Sequence, residues 1–162
     1  MGIQLYRIDD RLIHGQVVVG WGQPLNVRFL VLVDDLVASS DWEKDLYRMA
    51  VPPEMDIYFA DVDAAIRDHA RYASDPRPGV LITGDIASML RLVQGVKAIG
   101  SVNLGGIHHR AGRDEKRRYV FLTPDEELQL RALEASGVEV IAQDVPSARA
   151  RTLAEVLEGE SK

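Results

Sequence analysis

Residues 27–60 read VRFLVLVDDLVASSDWEKDLYRMAVPPEMDIYFA, and the alternation inside this stretch decides the fold. VRFLVLVD (27–34) is almost wholly apolar, as expected of a strand covered on both faces rather than one facing water. SSDWEKDLYRMA (39–50) changes the period: Ser39 or Ser40 can cap a helix, and Trp42, Leu46 and Met49 fall on one of its faces. MDIYFA (55–60) returns to the strand pattern. A buried strand, an amphipathic helix and a second buried strand make a unit whose strands run parallel.

The same alternation continues on both sides. Further strands are expected at IQLYRI (3–8), GVLITG (79–84), KAIGSVN (97–103), RYVFLT (118–123) and VEVIAQ (138–143). Helices are expected at about 16–23, behind Gly15, and at DVDAAIRDHARYA (61–73), capped by Asp61. Two more are DIASMLRLVQ (85–94) and TPDEELQLRALEAS (123–136), the latter with Thr123 as cap and Pro124 in the first turn. SARARTLAEVLEG (147–159) reads as a terminal helix. The whole chain, 1–162, is therefore expected to form a single doubly wound α/β domain. Its mainly parallel central sheet would have about seven strands, flanked by helices.

Composition narrows the function. The chain has 162 residues, with 25 acidic and 19 basic side chains and a net charge of −6. This disfavours a nucleic-acid binder, which needs a basic footprint. There is no cysteine, which excludes disulfides, thiolate metal sites and a cysteine nucleophile. MGIQLYRIDD lacks a basic segment followed by a long apolar run, so it is not expected to act as a signal peptide, and no apolar run approaches the roughly 18 residues of a membrane span. Any membrane role is expected to come through a partner. A zinc site built from His14, His108 and His109 lacks a recognisable ligand spacing, so no metal or cofactor is expected.

In a doubly wound sheet, ligands gather beyond the carboxyl ends of the strands. The loops there are DDRLIHG (9–15), DDLVAS (34–39), TGD (83–85) and LGGIHHRAGRDEK (104–116). The first carries the most chemistry. Asp9 and Asp10 end a strand, and His14 follows in the connection with Gly15 ahead of a helix start, a place that favours phosphate. Neutral imidazole is a good nucleophile toward phosphorus near pH 7. Arg11 can clamp phosphoryl oxygens. Asp9 or Asp10 can hold one ring nitrogen while the other attacks; Asp10 is taken as the orienting candidate, with the choice between the two open. Local physics equally allows a loop histidine bonded to backbone beside a surface ion pair.

Three segments resemble one family in the same order. RIDDRLIHGQVVVGW, VLVDDLVASSDWEKDLYRMAVPPEMDIYF and SVNLGGIHHRAGRDEKRRYVFLTPDEELQLRALEASGVEVIAQDVPS are similar to IIB components of the mannose/fructose/sorbose class of the bacterial sugar phosphotransferase system. The resemblance implies that His14 is phosphorylated by a IIA protein or domain. His14 would then hand the group to a sugar held by the membrane IIC and IID components. It implies Arg11 as phosphate clamp, and Gly15 and Gln16 as backbone N–H donors to the phosphate. It also implies a cytoplasmic protein peripheral to a permease, and homo-oligomers. Gly105, Gly106 and His108 would lie near the active histidine. Thr83, at a strand end, is a further phosphate-binding candidate. The family's AND at the second helix start reads SSD here (39–41), and His109 also departs from the pattern. A regulatory phosphocarrier using the same His14 is the alternative function. A nucleotide-binding domain would fit the alternation, but no GxGxxG follows the first strand.

His69, within AAIRDHARYA, is expected on a solvated helix face, and GRDEKRR (112–118) in a solvated loop. Trp21 and Trp42 are expected in the core or at a subunit contact.

Overall fold

Five consecutive apolar residues form β2 (Phe29–Val33), and all five are buried. The six residues of β4 (Pro78–Thr83) are likewise buried throughout. These two strands pair in parallel, Val31 opposite Leu81. The computed structural model, which describes residues 1–158, builds outward from this pair. β1 (Gly2–Ile8) pairs with β4 on one side and β5 (Ser101–Leu104) on the other. β3 (Asp56–Ala60) flanks β2, and β8 (Glu139–Ala142) flanks β5. The order is β3-β2-β4-β1-β5-β8-β9, seven strands, all parallel except for antiparallel β9 (Arg151–Thr152).

The expected fold class and strand count hold, but the seventh strand is a different one. RYVFLT supplies β7 (Val120–Leu122), which leaves the main sheet to pair antiparallel with β6 (Asp114–Arg117) in a separate hairpin. GRDEKRR was expected as a loop and instead supplies β6. Its alternate side chains need only a neighbour on one side, so a polar sequence suffices for a two-stranded edge. A parallel bridge between Ile107 and Val120 ties the hairpin to the loop after β5. β9 takes the vacant edge, and the terminal helix α6 (Leu153–Glu158) starts later than expected. Gly159, the last residue of that expected helix, lies outside the described residues.

The sheet separates two apolar layers. Phe29, Val31, Val33 and Leu81 point into the larger, with Ile8, Met89, Leu92, Leu130 and Leu133. Leu30, Leu32, Val80 and Ile82 point into the smaller, with Leu12, Ile13, Val17 and Val18. Over the larger layer lie α3 (Val62–Ala73), α4 (Ile86–Gly95) and α5 (Pro124–Ala135), each started by a side-chain cap. Asp61 accepts from the Ala64 N–H, Asp85 from the Ser88 N–H and Thr123 from the Glu126 N–H. Among the described residues no helix is long and apolar enough to cross a membrane.

On the other side, α1 (Asp35–Ala38) and α2 (Asp41–Ala50) are short. Here the shared apolar face of α2 lies outward, which places Trp42 outside the core. Trp42, Leu46 and Met49 are 67%, 53% and 83% exposed, while α2 meets the core through Tyr47, with Val51 just beyond its end. Trp21, by contrast, is buried as expected. His69 is buried rather than solvated: its Nε2 lies 2.6 Å from the Tyr6 hydroxyl and the two rings stack.

Candidate functional site

β1 lies inside the sheet, with β4 on one side and β5 on the other. The chain leaves β1 toward β2, whereas β4 crosses over to β5, so a crevice opens at the carboxyl ends of β1 and β5. The two loops meet there: the Asp10 N–H donates to the Gly106 carbonyl at 2.9 Å, and the Gly105 N–H to the Ile8 carbonyl at 2.7 Å.

The β1 loop is held open by its own apolar residues. Leu12 and Ile13, side by side between two charged residues and His14, both sink into the smaller core layer. Leu12 adopts a φ of 59°, left-handed for a residue with a Cβ. With Leu12 and Ile13 anchored, Arg11 faces solvent and His14 stands at the rim, its side chain 15% exposed. The segment Gln16–Trp21 then turns as a wide helix rather than the α-helix expected from 16 to 23; the Gly22 N–H reaches back five residues to the Val17 carbonyl.

The carboxylate on His14 is Asp9, not Asp10. Asp9 Oδ2 lies 3.0 Å from His14 Nε2 and accepts from Arg7 Nη2 at 3.1 Å, while its Oδ1 accepts the Arg11 N–H at 3.1 Å. Side chains alternate across a strand, and the turn closed by the Leu12 N–H on the Asp9 carbonyl folds His14 back over Asp9. Burial pushes the Asp9 carboxyl up. The His14 hydrogen bond, the charges of Arg7 and His14 and the Arg11 N–H outweigh it and hold Asp9 below the ordinary carboxylate range. Asp9 is thus an ionised acceptor, so the neutral tautomer of His14 that donates to it carries its proton on Nε2. Asp10 serves the other loop: it accepts the His108 N–H at 2.7 Å and pairs with His108 Nδ1 at 2.5 Å.

Behind Asp9 is a residue that the sequence reading passed over. Arg7 is fully buried, its guanidinium over the Trp21 ring at 5.4 Å. Nη1 donates to Asn103 Oδ1 at 2.5 Å and the Gln143 carbonyl at 2.9 Å; Nη2 also donates to the Asp144 carbonyl at 2.9 Å. Burial lowers its pKa against the pull of Asp9 and Asp144, but a guanidinium keeps its proton. The signal was present: an arginine inside a strand expected to be buried on both faces demands a partner. Gly105 is required by this group, because a Cβ there would fall on the Arg7 guanidinium. At Gly106 a Cβ would come within 2.9 Å of the His108 ring.

The remaining candidates divide. Arg11 places its Nε 3.8 Å from Asp9 Oδ1 with the side chain 43% exposed, a cation at the mouth of the site. Gly15 is exposed, with nothing within 4 Å of where a Cβ would stand, and Gln16 opens the wide helix beside it. His108 reaches the crevice through Asp10, and Arg113 braces its carbonyl at 2.8 Å while gripping Glu126 of α5 at both carboxylate oxygens. Thr83 is corrected: it is completely buried and its hydroxyl donates to the Asp85 carbonyl at 2.9 Å, so it shapes the turn into α4 instead of facing a phosphate. Asp34 caps α1, and Asp35 bonds the Val62 N–H and Arg91, so both acids there are structural. His109 packs edge-on against Phe121.

A family model described as the PTS system sorbose subfamily IIB component matches residues 3–162. A sorbose-specific EIIB component from Klebsiella pneumoniae is 33% identical over 150 residues, covering 91% of this chain and 90% of that protein. A mannose-specific EIIAB component of Escherichia coli K12 is 35% identical over 147 residues, 90% of this chain; the match spans only 45% of that longer protein. Among solved structures, the IIBSor domain of the sorbose permease from Klebsiella pneumoniae superimposes with a TM-score of 0.89 at 26% identity, covering 99% of both chains.

Proposed function

The chain belongs to the sorbose-subfamily IIB components of the phosphotransferase system, and from that premise we propose that it carries a phosphoryl group on His14 between a IIA protein and a sugar at a IIC/IID permease. The observation that carries the reading is the buried Arg7–Asp9 pair holding Nε2 of a rim histidine. Nδ1 of His14 attacks the phosphorus of a IIA phosphohistidine. The Nδ1–P bond forms as the donor N–P bond breaks, and that electron pair returns to the donor ring. At the permease a sugar hydroxyl attacks in turn. The O–P bond forms, the Nδ1–P bond breaks with its pair returning to Nδ1, and the hydroxyl proton leaves to a base or solvent.

Phosphoryl transfer asks for positioning and charge rather than bond-making groups on the protein. Asp9 fixes the ring and stabilises the positive charge that the imidazole acquires on phosphorylation. Arg11, partly exposed at the mouth, would turn onto the phosphoryl oxygens, and the backbone amides of Gly15 and Gln16 would add donors. Arg7 keeps Asp9 ionised while remaining buried away from the phosphate. A cytoplasmic location beside the permease follows from the same reading.

Incubation with phosphorylated IIA, followed by mass spectrometry at alkaline pH, is expected to place one acid-labile phosphate on His14 and none on His14→Ala. A wild-type protein left unmodified by a IIA that phosphorylates other IIB proteins would sink the proposal. Adding IIC/IID vesicles and sugar then separates transport, in which the label moves to sugar, from a regulatory carrier, which keeps it.

A further inference from the structure

Asp144 belongs to two places at once. Its carbonyl accepts from Arg7 and, at 2.9 Å, from Trp21 Nε1; its carboxylate Oδ1 is 3.9 Å from Arg7 Nη2. The same residue lines a cavity of about 810 Å³ together with Lys116, Arg117, Arg118, Tyr119 and Arg151.

Four cations converge on this cavity in a chain whose net charge is −6. Three of them, Lys116, Arg117 and Arg118, are consecutive in the β6–β7 hairpin, and the fold brings Arg151 of β9 to join them. Lys116 pairs with Glu127 at 2.6 Å and Arg117 donates to the Glu155 carbonyl, which fixes these two at the wall; Arg118 is exposed. Guanidinium forks in a concave site match phosphoryl oxygens. A bare anion, however, would meet the Asp144 carboxylate, 27% exposed, and Glu115 nearby. Those oxygens accept from hydroxyls, and the volume exceeds what a phosphate alone fills. The chemistry that satisfies both halves is an anion joined to a polyol.

We propose that this cavity is a regulatory subsite for a sugar phosphate, and that its occupation is felt at His14 through Asp144, Arg7 and Asp9. The binding half stands on the cavity alone; the coupling half rests on the reading of His14 as the phosphoryl carrier. A ligand drawing on the Asp144 carboxylate alters what Arg7 receives from that residue, and Arg7 is the group that fixes Asp9 against His14.

The test is calorimetry on the full, unphosphorylated chain with mannose 6-phosphate, mannose and inorganic phosphate at fixed ionic strength, alongside nitrogen NMR of the histidine rings. Mannose 6-phosphate is expected to bind about tenfold more tightly than either fragment. The Arg118→Ala/Arg151→Ala double variant is expected to lose about tenfold in affinity, and Asp144→Asn to lose the preference over inorganic phosphate. The His14 ring resonances should shift on saturation. Arg118→Gln alone, at an exposed position, must weaken binding too, which guards against a misfolded double variant. Absence of saturable binding, unchanged affinity in the arginine variants, or phosphate binding as tightly as the sugar phosphate each overturns the site. Unmoved His14 resonances at saturation overturn the coupling. Phosphorylation by IIA is assayed separately, so its failure is distinguishable from either result.

Discussion

Leu12 sits at φ 59° with its side chain buried, a combination that costs about 1 kcal/mol in backbone strain. The apolar layer beneath the β1 loop holds it there, and His14 is aimed as a consequence. Asp9 is the residue on which this arrangement turns, since both its charge and its oxygens are used. Asp9→Asn keeps the shape and removes the charge. It frees the His14 tautomer and leaves buried Arg7 with only the more distant Asp144 carboxylate as counter-charge. Transfer from IIA is expected to slow by about 100-fold. Stability is expected to fall by about 3–5 kcal/mol, the cost of breaking a buried ion pair. A phosphorylation rate and a urea midpoint both like wild type would show that the pair does neither job. Arg7 was legible in the sequence as a charge out of place, but which acid it meets was not, because Asp9 and Asp10 differ only in which way the strand end faces them.

At the scale of elements, α5 is the strut of the site. Thr123 and Glu126 cap its first turn reciprocally, and the same Glu126 grips Arg113, which braces the His108 carbonyl. Thr123→Ala is expected to lower stability by about 1 kcal/mol, with hydrogen exchange accelerating in residues 105–109 as well as in the helix. Acceleration confined to the helix would break the link between cap and loop. The capping box was readable from TPDE. Its second duty was not, because Arg113 is distant in sequence from the acids it serves. α2 teaches the opposite lesson: Trp42, Leu46 and Met49 have helical spacing, and spacing says which residues share a face but not what that face meets.

Across the molecule, the sheet's two covered faces make burial of polar groups consequential even far from the site. His69 packs beneath β1 against Tyr6, whose hydroxyl burial pushes up to about 12, so Tyr6 stays protonated and can donate to Nε2. Burial holds His69 below its ordinary value of 6.5. A histidine with a depressed folded pKa favours folding while neutral. Its contribution is complete above the unfolded value and is lost as pH falls below about 6.5. The melting temperature of wild type is therefore expected to drop more between pH 7 and pH 5 than that of His69→Gln, which keeps a partner for Tyr6 without titrating. Parallel curves for the two proteins would count against this.

The residues alone determined the architecture, because uninterrupted apolar runs such as FLVLV and GVLIT can be satisfied only as interior strands covered on both faces, and the capped stretches between them only as crossover helices. They also pointed to His14, where a strand end is followed by charge and glycine, but that local pattern became a site reading only through the resemblance of three segments to one family. Tertiary structure decided everything that depends on residues far apart meeting: Asp9 over Asp10 as the partner of His14, Arg7 as the buried cation behind it, Thr83 as a turn rather than a phosphate contact, and β9 rather than β7 as the seventh strand. Periodicity fixes a side chain's direction relative to its own element; its partner is fixed by the packing of elements that are remote in sequence.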